Sequence, residues 1–214
     1  MRAILRSRKT NQGMPNQALE QIRDSVLRYG ESLGCEMLNL VVRRRRRGVV
    51  TLRLYRPDDA PALLALFRDT VRSVNSRDYS PVQVAAWASD DIDTIRWFGR
   101  FEERFILVAE EGGLPVGFAE LEADGHVDRV YVSADHQGRG IGRRLVATMV
   151  AEARRAGIRR LFTEASITAR PFFEAQGFVV LTPQVVTVRG VEFVNYRMER
   201  IIAEPSAAAD RGRM

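Results

Sequence analysis

The residues best suited to chemistry stand together in Val130-Tyr131-Val132-Ser133-Ala134-Asp135-His136-Gln137-Gly138-Arg139-Gly140-Ile141-Gly142-Arg143-Arg144. An apolar strand leads into a polar loop, three glycines alternate, and an amphipathic helical run starts at once. Glycine lets backbone approach a ligand because no Cβ stands between them. The N–H groups of a helix's first turn have no partner within the helix, and its dipole favours an anion there. Arg139 and Arg143 add positive charge, so a diphosphate suits this segment. The plainer alternative is that the glycines only make a tight turn. No Gly-Lys-Ser/Thr follows, so this is not a Walker loop. Gly138-x-Gly140-x-Gly142 also lacks the spacing of a dinucleotide fingerprint. Earlier on the same strand, His126 and Asp128 are two residues apart, and a strand projects such a pair to one face. An imidazole with its near-neutral pKa makes this pair the candidate general base, against the alternative of a surface pair. Glu120 and Glu164 are further carboxylates on central strands, expected to orient or support rather than act as bases. His136 is expected to be a solvated loop residue.

The elements that must position these groups alternate strand and helix. Val49 to Tyr55 reads as a strand, and Pro57 with Asp58 and Asp59 opens a helix, where acidic groups favour the positive end of the dipole. That helix should bury Leu63, Phe67 and Val71, which recur at helical spacing. Ser80-Pro81-Val82-Gln83 has the spacing of a capping box and starts a short helix carrying Trp87. Asp90 to Phe101 makes a further turn or helix. Arg104 to Glu110 and Pro115 to Leu121 form a hairpin around Gly112-Gly113. His126 to Val132 is the next strand. Residues 141–156 give the clearest helix, with Ile141, Leu145, Val146, Met149, Val150 and Ala153 on one face and Gly157 as its stop. Arg159 to Ala165 is a strand, Ala169 to Gln176 a short helix, and Phe178 to Leu181 a strand. A hairpin of Val185–Val188 and Val191–Met198 closes the domain. The class is α+β: a mixed, mostly antiparallel central sheet flanked by helices in three layers.

Gln137-x-x-Gly140-x-Gly142 resembles the Gln/Arg-x-x-Gly-x-Gly/Ala signature of the Gcn5-related N-acetyltransferase (GNAT) superfamily. The similarity runs from about Leu52 to Met198, and includes Arg170-Pro171-Phe172-Phe173-Glu174-Ala175-Gln176-Gly177-Phe178, similar to a late helix ending in Gly-Phe. The closing Asn195-Tyr196-Arg197-Met198 resembles the small-molecule branch. The resemblance implies acetyl-CoA as the acyl donor and no metal. It implies that the backbone of Val130, Tyr131 and Val132 pairs with the pantetheine arm like an added strand. N–H groups of Gly138, Arg139, Gly140, Ile141, Gly142 and Arg143, after Gln137, would hold the pyrophosphate. Many relatives carry a tyrosine four residues before the late glycine; here that position is Phe173, which cannot protonate a thiolate. Tyr196 is the substitute acid, with unaided departure of the thiolate as the alternative. The expected acceptor is a small-molecule amine or a peptide N-terminus, bound by the early helices and the final hairpin, Asn75 to Trp87 included.

Composition narrows the alternatives. The net charge of +6 resides in the first 48 residues, whose 11 basic and 4 acidic side chains leave the remainder at −1. Arg43 to Arg47 supply five of those charges. Basicity therefore belongs to an N-terminal segment and not to the domain, and a nucleic-acid partner is not expected. Residues 1–48 read as a basic extension, partly disordered, with a helix over Pro15–Gly34; a mis-assigned translation start is the rival explanation. Residues 49–202 read as the N-acetyltransferase domain and 203–214 as a disordered tail. No apolar run reaches the roughly 20 residues of a membrane span. The single cysteine, Cys35, allows no intrachain disulfide, and a cytoplasmic protein is expected. A homodimer is compatible with these features. The main rival to an acetyltransferase is a catalytically weak acyl-CoA-binding or sensing protein, motivated by the missing tyrosine.

Overall fold

The computed structural model describes residues 48–101 and 104–202, so the expected N-terminal extension and C-terminal tail lie outside the described residues. Strand β1 (Val50–Leu54) leads through a single 3-10 turn at Pro57–Asp59 into helix α1 (Ala60–Ser73), whose Leu63, Phe67 and Val71 are buried as their spacing requires. Helix α2 (Pro81–Trp87) opens on a reciprocal cap: Ser80 Oγ accepts from the Gln83 N–H, and Gln83 Oε1 accepts from the Ser80 N–H. Helix α3 (Thr94–Gly99) is capped by the Asp93 carboxylate, which accepts from the Arg96 N–H. Strands β2 (Phe105–Glu111), β3 (Leu114–Leu121) and β4 (Val127–Val132) follow, then helix α4 (Ile141–Arg155), strand β5 (Arg160–Ser166), helix α5 (Arg170–Ala175) and strands β6 (Val179–Val188) and β7 (Val191–Ile201).

The strands form two antiparallel sheets, ordered β1-β2-β3-β4 and β5-β7-β6. One parallel bridge, His126 to Phe162, joins them. Helix α4 buries Ile141, Leu145, Val146, Met149, Val150 and Ala153. Its core cluster includes residues from β2, β3, β5 and α5 and thus ties the sheets together. A second, aromatic-rich core lies on the opposite side, where α1 and α3 cover Ile106, Val108 and Phe118. The result is the expected α+β arrangement of helices on both faces of antiparallel strands.

Beyond small shifts at element ends, such as β7 running on to Ile201, two departures from the sequence reading stand out. The residues read as strands 178–181 and 185–188 are one continuous strand, β6. It is a sheet edge, where Pro183 removes no ladder bond, and a register shift between Val180 and Thr182 absorbs the irregular stretch. Strand β4 starts one residue late, at Val127, and its register shifts between Glu120 and Leu121. Asp128 falls within that irregularity, and the simple alternation that put it beside His126 is broken.

Candidate active site

Beyond the His126–Phe162 bridge, β4 and β5 diverge. Among the described residues, β4 then pairs only with β3, and β5 only with β7. Val130, Tyr131 and Val132 face Glu164, Ala165 and Ser166 across a cavity of about 830 Å³. One end of the cavity is the turn from Gln137 to Arg143. Gly140 is the N-cap of α4 and supplies no side-chain cap bond. The first helical bond at this end runs from the Arg144 N–H to the Gly140 carbonyl, 3.1 Å, so the N–H groups of Ile141, Gly142 and Arg143 precede the helical ladder. Gly138 and Gly140 have φ of 70° and 74°, which side-chain-bearing residues resist. A Cβ on Gly142 would stand 3.0 Å from the Phe172 ring, so glycine there lets the late helix close against α4.

The loop's side chains are tied down. Gln137 Nε2 donates to the Val132 carbonyl. His136 is not a freely solvated residue: it bridges Ser133 Oγ (2.6 Å) and Glu111 Oε2 (2.8 Å). Arg139 donates to Glu111 at 2.6 and 3.1 Å and to the Gly48 carbonyl. The Arg139 guanidinium, with His136 assisting, holds the Glu111 carboxyl down at about 2. Arg143 is exposed, and Ile141 offers only its backbone because its side chain is buried.

The candidate base pair separates. His126 is buried, with Nε2 2.7 Å from Glu164 Oε2 and Nδ1 3.2 Å from Glu122 Oε1, and its ring stacks on Phe162. Burial disfavours the imidazolium, but the hydrogen bonds it donates to Glu122 and Glu164 outweigh that and push its pKa up to about 9. At neutral pH it already holds its proton and is poorly placed to accept one. Asp128 accepts from Arg100 (2.8 Å) and Arg104 (2.5 Å). Burial works against its charge, yet Arg129, Arg100 and Arg104 prevail and hold the carboxyl well below the usual range. Glu120, wholly buried, accepts from Arg104 and has its pKa raised by burial despite that guanidinium and Arg129. Arg104 also pairs with Glu122, so one guanidinium serves three carboxylates. Sequence reasoning missed this arginine set, since no spacing distinguishes Arg100 and Arg104 from the many other arginines.

Tyr196 stands on β7 opposite Ala165, with the Arg170 guanidinium 4.6 Å over its ring, and is absent from the residues lining the cavity. Phe173 is buried on α5 against Phe178. The other end of the cavity is lined by Asn75, Tyr79 and Trp87 from the early segment, by Trp97 of α3, and by Thr187 to Arg189 and Phe193 to Asn195 of the final hairpin. Tyr79 fastens these parts: its hydroxyl donates to the Val194 carbonyl and accepts from the Ile167 N–H. The Tyr131 ring turns into the same end, stacked on Phe118 and edge-on to Phe67.

Paired antiparallel sheets that splay over a glycine-rich helix start are the arrangement the family resemblance implies, and comparison with known proteins agrees. Residues 75–200 match the family model of the acetyltransferase (GNAT) domain. The chain is 34% identical over 149 residues to the uncharacterised N-acetyltransferase YafP of Escherichia coli (strain K12), covering 70% of this chain and 94% of that protein. A crystal structure of a GCN5-related N-acetyltransferase from Rhodopseudomonas palustris superposes with a TM-score of 0.69 at 31% identity, over 74% of this chain and 99% of that one. The structure of YncA of Salmonella typhimurium with its cofactor acetyl-CoA shares the fold at a TM-score of 0.57 and 24% identity, over 74% of this chain and 97% of that one. The chain belongs to the GNAT acetyltransferase domain family.

Proposed function

We propose that the protein transfers an acetyl group from acetyl-CoA to a primary amine, by direct attack within a ternary complex. The observation that carries this reading is a continuous cavity with two chemically different ends. One end presents ungripped helix-start N–H groups and αL glycines, suited to a pyrophosphate. The other is an aromatic chamber. Between them, the edge of β4 away from β3, at Val130 to Val132, offers strand-like backbone to the amides of a pantetheine arm, with the Val132 carbonyl already accepting from Gln137. The complex of YncA with acetyl-CoA on the same fold supports this assignment.

In the proposed reaction the amine nitrogen bonds to the thioester carbonyl carbon, the C–S bond breaks, and the amine's proton leaves to solvent or to the departing sulfur. His126 and Asp128 do not serve as the base, because one is protonated and the other is locked by arginines. Tyr196, turned toward Arg170, is not assigned as the acid, so the thiolate leaves unaided, its pKa lying near ambient pH. A small-molecule amine suits an acceptor chamber walled by α1, α2, α3 and the β6–β7 hairpin.

Calorimetry with acetyl-CoA tests the donor site. The natural chain should bind, and Gly140→Glu, which sets a carboxylate at the helix start, should lose binding while keeping its fold. No binding by the natural chain sinks the reading. Phe173 at the tyrosine position favours one rival, an acyl-CoA sensor. Binding without thiol release across a broad amine panel would establish that rival instead.

A further inference from the structure

The acceptor end of the cavity carries a selective distribution of charge. Arg189 donates to the Ala86 carbonyl, Asp128 accepts from Arg100 and Arg104, and Asp93 caps the Arg96 N–H. Asp93 uses one oxygen in that cap and is itself exposed, and Arg129, which also lines the cavity, lies over the Trp97 ring with Nη1 3.1 Å from Glu120. Glu164 differs. It stands on β5, directly on the wall of the slot, with its side chain 5% exposed. Its bond to His126 engages Oε2, one of its two carboxylate oxygens. Burial opposes the Glu164 charge, and the hydrogen bond and field of His126 reverse that effect, so its pKa is lowered and it remains a carboxylate. The walls on this side are ring faces and edges: Phe67, Trp87, Trp97, Tyr131 and Phe193. Such rings accept an apolar body, and ring faces attract a cation, as the Arg129 guanidinium 4.4 Å over Trp97 already illustrates.

We infer that the acceptor is a primary amine that arrives as an ammonium ion on a flat, apolar body, and that Glu164 receives the ammonium while the aromatic wall holds the body. This rests on the acetyltransferase reading and deepens it by naming the substrate class. The role of Glu164 is recognition: the bound ammonium gives one proton to solvent before its nitrogen can attack, and the second proton, shed on acyl transfer, leaves to solvent or to the departing sulfur. His126 is a positioning residue. It reaches from the end of the first sheet to Glu164 on the second, at the bridge where the sheets meet. The ionisable groups around it are Glu122 after β3, Asp128 on β4 and Glu164 on β5, with Arg104 sharing Glu122 Oε1; the three carboxylates outweigh that guanidinium and hold His126 as a cation.

The test uses the full chain saturated with CoA, so that no turnover occurs, and compares 2-phenylethylamine with the neutral 2-phenylethanol by calorimetry. The natural chain should bind the amine at least about tenfold more tightly than the alcohol, as expected for a charge-assisted hydrogen bond. Glu164→Gln should bring the two within about twofold. Equal binding of amine and alcohol by the natural chain overturns the inference, and so does a tenfold preference that survives Glu164→Gln. Failure to bind CoA is read in a separate titration and counts against the acetyltransferase reading. Repeating the amine–alcohol comparison without CoA decides the inference even then. In turnover with acetyl-CoA, Glu164→Gln should raise KM for the amine with little change in acetyl-CoA affinity. His126→Asn removes the cation that keeps Glu164 ionised, so the acidic limb of kcat/KM should move to higher pH. A purely structural His126 would lower stability and leave that limb in place.

Discussion

Removing the imidazolium at position 126 should change how stability depends on pH, in a window the structure defines. His126 is 7% exposed and lies between Glu122 and Glu164. Its pKa rises from 6.5 to about 9 because those two hydrogen bonds outweigh the cost of burying the charge. A rise of that size corresponds to about 3 kcal/mol of preference for the protonated, folded form. Because the folded value lies above the unfolded one, this stabilisation is complete below 6.5 and disappears as pH climbs through about 9. Urea unfolding of the natural chain and His126→Gln should therefore be compared at about pH 6 and about pH 10. The natural chain should lose about 3 kcal/mol more than the variant between those conditions. Parallel pH profiles for the two proteins would show that the imidazolium stabilises nothing, and the electrostatic account of the cluster would fail.

Other substitutions probe separate parts of the site. Gly140→Ala meets open space, the nearest atom to its Cβ being Arg143 Nη2 at 3.8 Å, so its cost is the left-handed backbone alone, about 1–2 kcal/mol. Acetyl-CoA affinity should fall by about tenfold or less, against the complete loss expected for Gly140→Glu. Arg104→Met leaves Glu120, Asp128 and Glu122 without a shared cation and should destabilise the fold by about 3–5 kcal/mol in urea titration. Glu111→Gln releases Arg139 and His136 from a carboxylate beside the loop. Acetyl-CoA should then bind a few-fold more tightly in calorimetry, with a steeper dependence on salt.

The geometry of the proposed donor site was legible in the sequence because it is local. A strand, a loop and a helix start follow one another within about fifteen residues, and the buried face of α4 matches its apolar periodicity. Capping of α2 by Ser80 and Gln83 was legible for the same reason. The chemistry of His126 was not. Alternation along a strand paired it with Asp128, whereas a register shift and a contact across 38 residues gave it Glu164. A pKa that depends on such partners cannot be read from residue type. Likewise Tyr196 is a tyrosine close to the proposed site in sequence order, but strand register turns it to Arg170. The continuity of β6 was hidden because Pro183 breaks strands in general and not at a sheet edge.

The acceptor chamber is assembled from distant parts of the chain. Tyr79 reaches Val194 across 115 residues, Gln83 reaches the Glu192 carbonyl across 109, and Arg189 reaches Ala86 across 103. The donor loop, by contrast, is one short run of sequence. High contact order makes the chamber expensive in loop-closure entropy, so it should be among the later parts to consolidate in folding, after the final hairpin exists. The same separation gives the molecule modular evolvability. Under the proposed function, changes in the early helices and the last hairpin would remodel which amine is admitted without touching the glycine-rich turn assigned to the thioester carrier.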